Sequence, residues 1–201
     1  MTDEEFADLL SLGHERRGIE FKGCRPRTDR VFFAKVARAA IGMANRRNGG
    51  YVIIGVEDSS GTLTPTGLCA EDLRTWKYDD VAVSISGYAD PSIGFELETM
   101  TYLSNKYIVI TVYEFEEIPI LCKNNCGDVL RKGACYVRSR HKPETSEIPS
   151  QEEMRELLEL ATEKRLRKFL AQAKAAGLTN LAILQQPTDA DLFARQLGEL
   201  A

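Results

Sequence analysis

The sequence predicts an α+β fold, with a mixed, mostly antiparallel sheet, packed helices and a C-terminal helical extension. Helical and strand patterns alternate early in the chain and then give way to two predicted hairpins, which is typical of this class. The 201 residues are enough to bury a substantial core. We therefore expect one domain over residues 1–150 and a helical extension over residues 151–201.

The first two elements follow from capping and alternation. Thr2 and Glu5 have the spacing of a capping box, which predicts a helix over residues 2–12. The alternating run Ile19-Glu20-Phe21-Lys22 predicts a strand at about 18–22. Alternation places its two apolar side chains on one face of the sheet and its two charged side chains on the other.

The next helix and strand are equally well marked. Thr28 can cap a helix over about 29–46, whose apolar residues recur at helical spacing. A run rich in β-branched residues then predicts a buried strand at 51–57, and residues 58–61 form a turn signal beginning at Asp58.

The middle of the chain predicts one more helix and two strand pairs. The helix spans about 70–86. Strands at about 93–103 and 106–115 form a hairpin, and segments at 118–122 and 134–139 are predicted to pair with each other.

The C-terminal part is predicted to be helical. Ser150 and Glu153 form a second capping box that opens a long charged helix to about residue 175, which Gly177 ends. A short helix is predicted near 189–199. Apolar residues repeat along the long helix, so we expect it to pack on the domain or to form the interface of a homodimer.

Composition favours a cytoplasmic protein without membrane segments. The sequence contains no apolar run near the roughly 18 residues that a spanning helix needs, and its acidic N-terminus is unlike a signal peptide. Five cysteines are scattered through the chain. This odd number and the chain length favour reduced thiols over a disulfide framework.

The net charge of −4 hides a strongly uneven distribution. Residues 15–50 carry ten Lys or Arg against three acids, and residues 121–142 carry six against one. The intervening residues 51–120 carry three against twelve. Folding could bring the two basic segments onto one face, which is the electrostatic pattern of a phosphate-binding protein.

A spaced set of charged residues is the main candidate for chemistry. Glu15 precedes the first predicted strand, Glu20 and Lys22 share one face of it, and Asp58 follows the second. If the two strands are neighbours, three carboxylates and an ammonium group meet at one edge of the sheet. Such a group suits a divalent cation, Mg²⁺ or Mn²⁺, and a phosphodiester.

Four ordered motifs resemble an AlbA-type, Schlafen-like domain over roughly residues 9–160. They are Glu15-Arg-Arg-Gly-Ile-Glu20-Phe-Lys22, Ala44-Asn45 with Gly49-Gly50, Ile54-Gly55-Val56-Glu57-Asp58, and Gly133-Ala-Cys-Tyr136-Val-Arg138. The segment between Asn45 and Gly50 is one residue longer than the family pattern. The ordered set is more specific than any single motif.

The resemblance implies both a function and a site. Schlafen family members include metal-dependent endoribonucleases that cut transfer and ribosomal RNA with three acids, and Glu15, Glu20 and Asp58 occupy those positions. Lys22 could then stabilise the charge on the scissile phosphate. We therefore expect a divalent-metal-dependent endoribonuclease that acts on structured RNA such as tRNA, with DNA as the alternative substrate, and works as a homodimer.

Two other functions stay open. Other domains of this type are described only as DNA-binding or regulatory modules, often in bacteria, so a non-catalytic nucleic-acid-binding regulatory or defence module is the main alternative. A protein-interaction scaffold, with no affinity for nucleic acid, is the third.

The basic residues around the acids are candidates for phosphate contacts that read shape rather than sequence. The predicted nucleic-acid-binding residues are Arg16, Arg17, Arg25, Arg27, Arg46, Arg47, Lys132, Arg138, Arg140 and Lys142.

Weaker patterns suggest other chemistry. Cys122, Cys126, Cys135 and His141 have residue types and a first spacing that permit a structural Zn²⁺ site, and the alternative is a loop with free thiols. The two histidines, His14 and His141, lack the neighbouring motifs of an acid–base ribonuclease. The glycines before the second strand are not followed by Gly-Lys-Ser/Thr, which argues against a P-loop ATPase.

Overall fold

A computed structural model describes residues 2–11, 15–59, 62–140, 142 and 144–177. In chain order the elements are α1 (Asp3–Ser11), β1 (Ile19–Lys22), α2 (Arg30–Ala44), β2 (Gly50–Ile54), β3 (Val56–Ser59), β4 (Thr62–Pro65), α3 (Ala70–Leu73), α4 (Tyr78–Ser86), β5 (Ala89–Asp90), β6 (Phe95–Tyr102), β7 (Asn105–Val112), β8 (Leu121–Cys122), β9 (Tyr136–Arg138), β10 (Thr145–Glu147) and α5 (Gln151–Ala175).

The predicted α+β fold, with a mixed and mostly antiparallel sheet, is confirmed. The central sheet has the strand order β1-β2-β7-β6. β1 runs parallel to β2, with Phe21 opposite Ile53, whereas β7 is antiparallel to both β2 and β6. Because β1 and β2 are neighbours, any residues at their C-terminal ends lie at the same edge of the sheet.

α1 covers one face of this sheet. The predicted capping box is present, since the Thr2 backbone N–H donates to Glu5 Oε2 over 2.8 Å and the Glu5 N–H donates to Thr2 Oγ1 over 3.1 Å. Phe6 of α1 is fully buried and meets Tyr107 edge-on, with ring centroids 5.4 Å apart. Phe21 of β1 belongs to the same hydrophobic cluster.

α2 covers the other face, in a cluster that includes Ile54 and Ile110. Its many alanines have small side chains, which allow the helix to pack closely on the sheet. The N-cap is Asp29 rather than the predicted Thr28, because the Asp29 side chain accepts from the Phe32 N–H over 3.0 Å. Strand alternation points Glu20 and Lys22 toward this α2 side.

The predicted strand 51–57 is divided at Gly55. Gly55 has φ +117°, and a Cβ there would lie 2.7 Å from Cδ1 of Tyr107. β3 therefore turns away from the central sheet and pairs with β4, a strand that the sequence did not predict. As a result, Asp58 lies inside β3 opposite Leu63 rather than in a turn after the strand.

Two further predictions need correction. The helix predicted over 70–86 is divided into α3 and α4 by a segment in which Trp76 is 5% exposed and donates from Nε1 to the Arg25 carbonyl over 3.2 Å. The segments 118–122 and 134–139 do not form a ladder together. β8 pairs with β5 and β9 pairs with β10.

The long C-terminal helix is confirmed as α5. The Glu153 N–H donates to Ser150 Oγ over 3.3 Å, as the predicted capping box requires. Backbone contacts divide the chain into units Met1–Ala161 and Thr162–Ala201, so the first part of α5 belongs with the sheet domain. The helix predicted near 189–199 lies outside the described residues. No helix in the described ranges is long and apolar enough to cross a membrane.

Candidate functional site

Glu20 is a buried carboxylate with both oxygens engaged. It is 7% exposed and lies on the α2 side of β1. Lys22 pairs with Oε1, and Arg138 of β9 pairs with Oε2. Thr145 of β10 also donates from its hydroxyl to Oε2, over 3.2 Å. The β9–β10 hairpin therefore closes over the charged face of β1.

Arg138 is the cation that holds this arrangement together. Although the sequence suggested that it contacts phosphate, the structure places it inside the protein with 1% of its surface exposed. Its Nε donates to the Arg17 carbonyl over 3.2 Å, and its Nη2 donates to the carbonyls of Arg16 over 3.2 Å and Ile19 over 2.9 Å. In this conformation Arg138 ties β9 to the segment that enters β1.

Glu15 lies beside the same pair. Its Oε1 accepts from the Phe21 backbone N–H over 2.8 Å, and its Oε2 is 3.7 Å from Arg138 Nη2. Burial raises the pKa of Glu15, and the negative charge of Glu20 raises it further. The structure thus brings together three of the four predicted catalytic residues, Glu15, Glu20 and Lys22.

Asp58 is not part of that group. It is exposed on β3, and the preceding residue, Glu57, contacts the segment that directly follows β1. Glu57 Oε1 accepts from the Cys24 N–H over 2.6 Å, and a Cβ on Gly23 would lie 2.7 Å from Glu57 Oε2. The sequence signal for this contact is Gly23, the glycine directly after β1.

The predicted metal ligands do not fit a divalent cation in this conformation. Both Glu20 oxygens are already paired with cationic side chains, those of Lys22 and Arg138, and Asp58 lies apart from them on β3. Among the described residues, no group of three or more His, Cys, Asp or Glu side chains is placed to hold a metal ion. Glu15, Glu20 and Asp58 all lie within the described residues.

The suggested zinc ligands also have other partners. All five cysteines are free thiols. Cys122 Sγ donates to the Asn124 carbonyl over 3.3 Å, and Cys135 Sγ donates to the Ile120 carbonyl over 3.8 Å. Burial raises the pKa of Cys135 to about 11, which disfavours the thiolate that zinc binds. His14 and His141 lie outside the described residues.

Half of the predicted phosphate-contacting residues meet at one place. A cavity of about 180 Å³ lies between the sheet domain and the first turns of α5. We call it the arginine cavity, because the described residues that line it include Arg17, Arg46, Arg47, Arg138 and Arg140. Arg47 and Arg140 are exposed, whereas Arg138 forms part of the buried wall.

Glutamates of α5 occupy the other side of the arginine cavity. Arg17 donates to both oxygens of Glu156, over 3.3 and 2.8 Å, and Arg140 Nε donates to Glu156 Oε2 over 2.8 Å. Burial alone would raise the pKa of Glu156. The hydrogen bonds from Arg17 and Arg140 outweigh it and lower that pKa to about 2. Arg140 also pairs with Glu152 at 3.3 Å.

Two polar atoms at this cavity are buried without a hydrogen-bond partner among the described residues. They are Nε of Arg46 and Oε2 of Glu153. Burial lowers the pKa of Arg46, and the nearby charges of Arg17 and Arg138 lower it further. An unsatisfied guanidinium N–H beside a cavity can donate a hydrogen bond to an oxygen atom of a ligand.

The remaining predicted basic residues lie apart from the arginine cavity lining. Arg27 is fixed against Thr75 and Ser84, with Nη1 donating to Ser84 Oγ over 2.9 Å. The other four, Arg16, Arg25, Lys132 and Lys142, are exposed.

Asn45 has a structural role that the sequence did not reveal. It is 5% exposed, and its Nδ2 donates to the carbonyls of Ile120 over 2.8 Å and Tyr136 over 2.9 Å. Its Oδ1 accepts from the Ile120 N–H over 2.7 Å. Asn45 therefore joins the end of α2 to β9, directly beside the arginine cavity that it helps to line.

A family model described as Schlafen, AlbA_2 matches residues 15–146. No curated protein sequence matches the chain.

Solved structures that are similar to the chain include the following two. The DIP2311 protein from Corynebacterium diphtheriae is 17% identical with a TM-score of 0.47, covering 66% of this chain and 22% of that one. The N-terminal domain of a RecG-related protein from Nitrosomonas europaea is 21% identical with a TM-score of 0.48, covering 75% and 98%. The chain thus spans less than a quarter of the length of the DIP2311 protein.

Proposed function

The chain belongs to the Schlafen AlbA_2 family, and on that premise we propose that it binds nucleic acid, with the arginine cavity as its phosphate-contacting surface. The observation that carries the proposal is the convergence of five arginines on this cavity. Guanidinium groups recognise the paired oxygens of carboxylates and phosphates in the same bidentate geometry. Arg17 holds Glu156 in that way.

Glutamates of α5 compete with nucleic acid for the arginines of the arginine cavity. Glu152 and Glu156 neutralise Arg17 and Arg140, so a polyanion must compete with them. The pair between Arg140 and Glu152 is 44% and 63% exposed, and such a pair contributes only about 0–1 kcal/mol. A strand with many phosphates can therefore displace it, whereas a single phosphate gains little.

Binding should be tested by fluorescence anisotropy with a labelled RNA hairpin and a DNA duplex of equal length, over about 50–200 mM salt. We expect affinity to fall steeply with salt. Arg140→Gln should weaken binding and reduce the salt slope by roughly 0.7–0.9 per lost phosphate contact. Arg131→Gln is the matched control, because Arg131 is also an exposed arginine paired with a glutamate, Glu147, but lies outside the arginine cavity.

Two results would count against the proposal. Equal losses for Arg140→Gln and Arg131→Gln would mean that only net charge matters. An absence of binding to either nucleic acid at the lowest salt would favour the interaction-scaffold alternative.

Metal-dependent cleavage of structured RNA such as tRNA is a second, more specific hypothesis. The proximity of Glu15, Glu20 and Lys22 favours it, while the positions of Asp58 and Arg138 do not. The test is incubation of tRNA and single-stranded DNA with the protein, with Mn²⁺ or with chelator. Fragments that require the metal and disappear in Glu15→Gln would support cleavage, whereas binding without fragments supports the non-catalytic function.

The preference for tRNA, the homodimer, the cytoplasmic location and a role in bacterial defence stay predictions from the sequence. For the homodimer, Met154 and Leu158 on α5 are 41% and 54% exposed, which leaves apolar surface for a partner.

A further inference from the structure

A second cavity lies away from the arginine cavity and shares none of its lining residues. It is a groove of about 710 Å³ between the start of α2, the end of α4 and the loop after β8. Sites for small molecules usually have volumes of about 300–1,000 Å³. The side chains that matter are two arginines, two aromatic rings and two amides: Arg27, Arg30, Phe33, Tyr88, Asn124 and Asn125. We call it the α2–α4 groove.

The α2–α4 groove is suited to an anion. It contains two guanidinium groups, and none of the described residues that line it is acidic. The arginine cavity, in contrast, includes three glutamates of α5 in its lining. An anionic ligand in the α2–α4 groove therefore does not have to displace a carboxylate from its lining.

One of the two arginines, Arg27, is held in place before any ligand binds. Arg27 donates from Nε to the Thr75 carbonyl over 3.1 Å and from Nη1 to Ser84 Oγ over 2.9 Å. Arg30, the second guanidinium of the groove, is exposed. Because Arg27 is already fixed, it loses less conformational entropy when it binds a phosphate.

The rest of the lining suits a nucleobase. Tyr88 is half-buried at the groove, and a tyrosine ring can stack on any base. Asn124 and Asn125 are exposed and braced, with Asn124 Nδ2 donating to the Gly87 carbonyl and Asn125 Oδ1 accepting from the Lys132 N–H, each over 2.7 Å. Each carboxamide also has a second hydrogen-bonding group of the kind that reads base edges.

We propose that the α2–α4 groove binds one nucleotide unit, with its phosphate on Arg27 and Arg30 and its base against Tyr88. The unit can come from a free nucleoside monophosphate or from an unpaired nucleotide of a strand. This site goes beyond the proposed function, because its residues are separate from the arginine cavity and a mononucleotide needs no polyanionic surface.

The test is isothermal titration calorimetry of the full chain with AMP, UMP, adenosine and inorganic phosphate. We expect AMP or UMP to bind more tightly than either adenosine or phosphate alone. Arg30→Gln should weaken nucleotide binding about tenfold or more, the loss expected for a charge-assisted hydrogen bond. Lys35→Gln is the matched control, since Lys35 is an exposed cation on the same helix that does not line the groove.

Each outcome decides the proposal. The proposal is overturned if neither nucleotide shows a heat of binding at millimolar concentration or if inorganic phosphate binds as tightly as AMP. It is also overturned if Arg30→Gln and Lys35→Gln have the same affinity for AMP. Tyr88→Ala provides a second variant, and retention of full AMP affinity in it would rule out stacking on this ring. Melting temperatures of all variants identify any that lose the fold.

Further measurements distinguish a free nucleotide from a nucleotide of a strand, and the α2–α4 groove from the arginine cavity. If AMP competes with a single-stranded RNA for the protein, and Arg30→Gln weakens both, the unit belongs to a strand. If AMP binds but the strand does not compete, the ligand is the free nucleotide. Arg140→Gln should leave AMP affinity unchanged, because Arg140 lines the arginine cavity and not the α2–α4 groove. If this variant loses RNA binding but keeps AMP binding, the lost interaction belongs to the arginine cavity.

Discussion

Replacing Glu20 with glutamine should destabilise the protein, because Glu20 is the counter-ion of a buried arginine. Arg138 is 1% exposed, and Glu20 is 7% exposed. Glutamine keeps the shape of the side chain but removes its negative charge. The guanidinium then stays buried with three backbone carbonyls and with Glu15, whose carboxylate is 3.7 Å away.

The size of the stability loss in Glu20→Gln follows from the burial of this ion pair. Removing one partner of a buried ion pair costs about 3–5 kcal/mol. Because Glu15 supplies part of the lost charge, we expect a value near the lower limit, about 3 kcal/mol. At about 2–4 °C per kcal/mol for a chain of this size, the melting temperature should fall by about 6–12 °C.

The assay is thermal and urea unfolding of wild type, Glu20→Gln and Glu71→Gln. Glu71 is an exposed glutamate on α3, and its replacement should change stability by less than about 0.5 kcal/mol. The double variant Glu20→Gln with Arg138→Met should lose less than the sum of the single losses, because it removes the buried guanidinium together with its counter-ion. A wild-type melting temperature for Glu20→Gln would refute this account and favour Glu20 as a ligand waiting for a cation.

Two further predictions concern groups around the arginine cavity. Because Arg17 and Arg140 lower the folded-state pKa of Glu156 to about 2, its ion pairs contribute stability above its unfolded pKa of about 4.3 and lose it as the pH falls toward 2. The stability difference between wild type and Glu156→Gln should therefore shrink between pH 6 and pH 3 in urea unfolding, and a constant difference would contradict it. Asn45→Ala should cost at least about 2 kcal/mol in the same assay, because it leaves the buried Ile120 and Tyr136 backbone groups unpaired; a loss below about 0.5 kcal/mol would mean that water replaces the amide.

Elements with a strong local signal were predicted closely. Capping boxes at Thr2 and Ser150 start α1 and α5 where expected, because a cap depends on residues three positions apart. The alternation in β1 also predicted correctly that Phe21 and Glu20 face opposite sides of the sheet. In each case the deciding interactions lie within a few residues of each other in the sequence.

Elements that depend on distant contacts were predicted less well. The strand at 51–57 divides because Gly55 meets Tyr107, which is 52 positions away. The pairings of β8 with β5 and of β9 with β10 depend on which edges folding leaves available. No local pattern distinguishes these pairings from the hairpin that we expected between 118–122 and 134–139.

The sequence by itself determined the fold class, the family and the presence of acids and arginines in two separate segments. The tertiary structure decided how their charges are used. It placed Arg138 against Glu20, 118 residues away, and α5 against Arg17 and Arg140. A sequence records which charges exist, but burial and distance set whether each charge is paired inside the protein or exposed to a ligand.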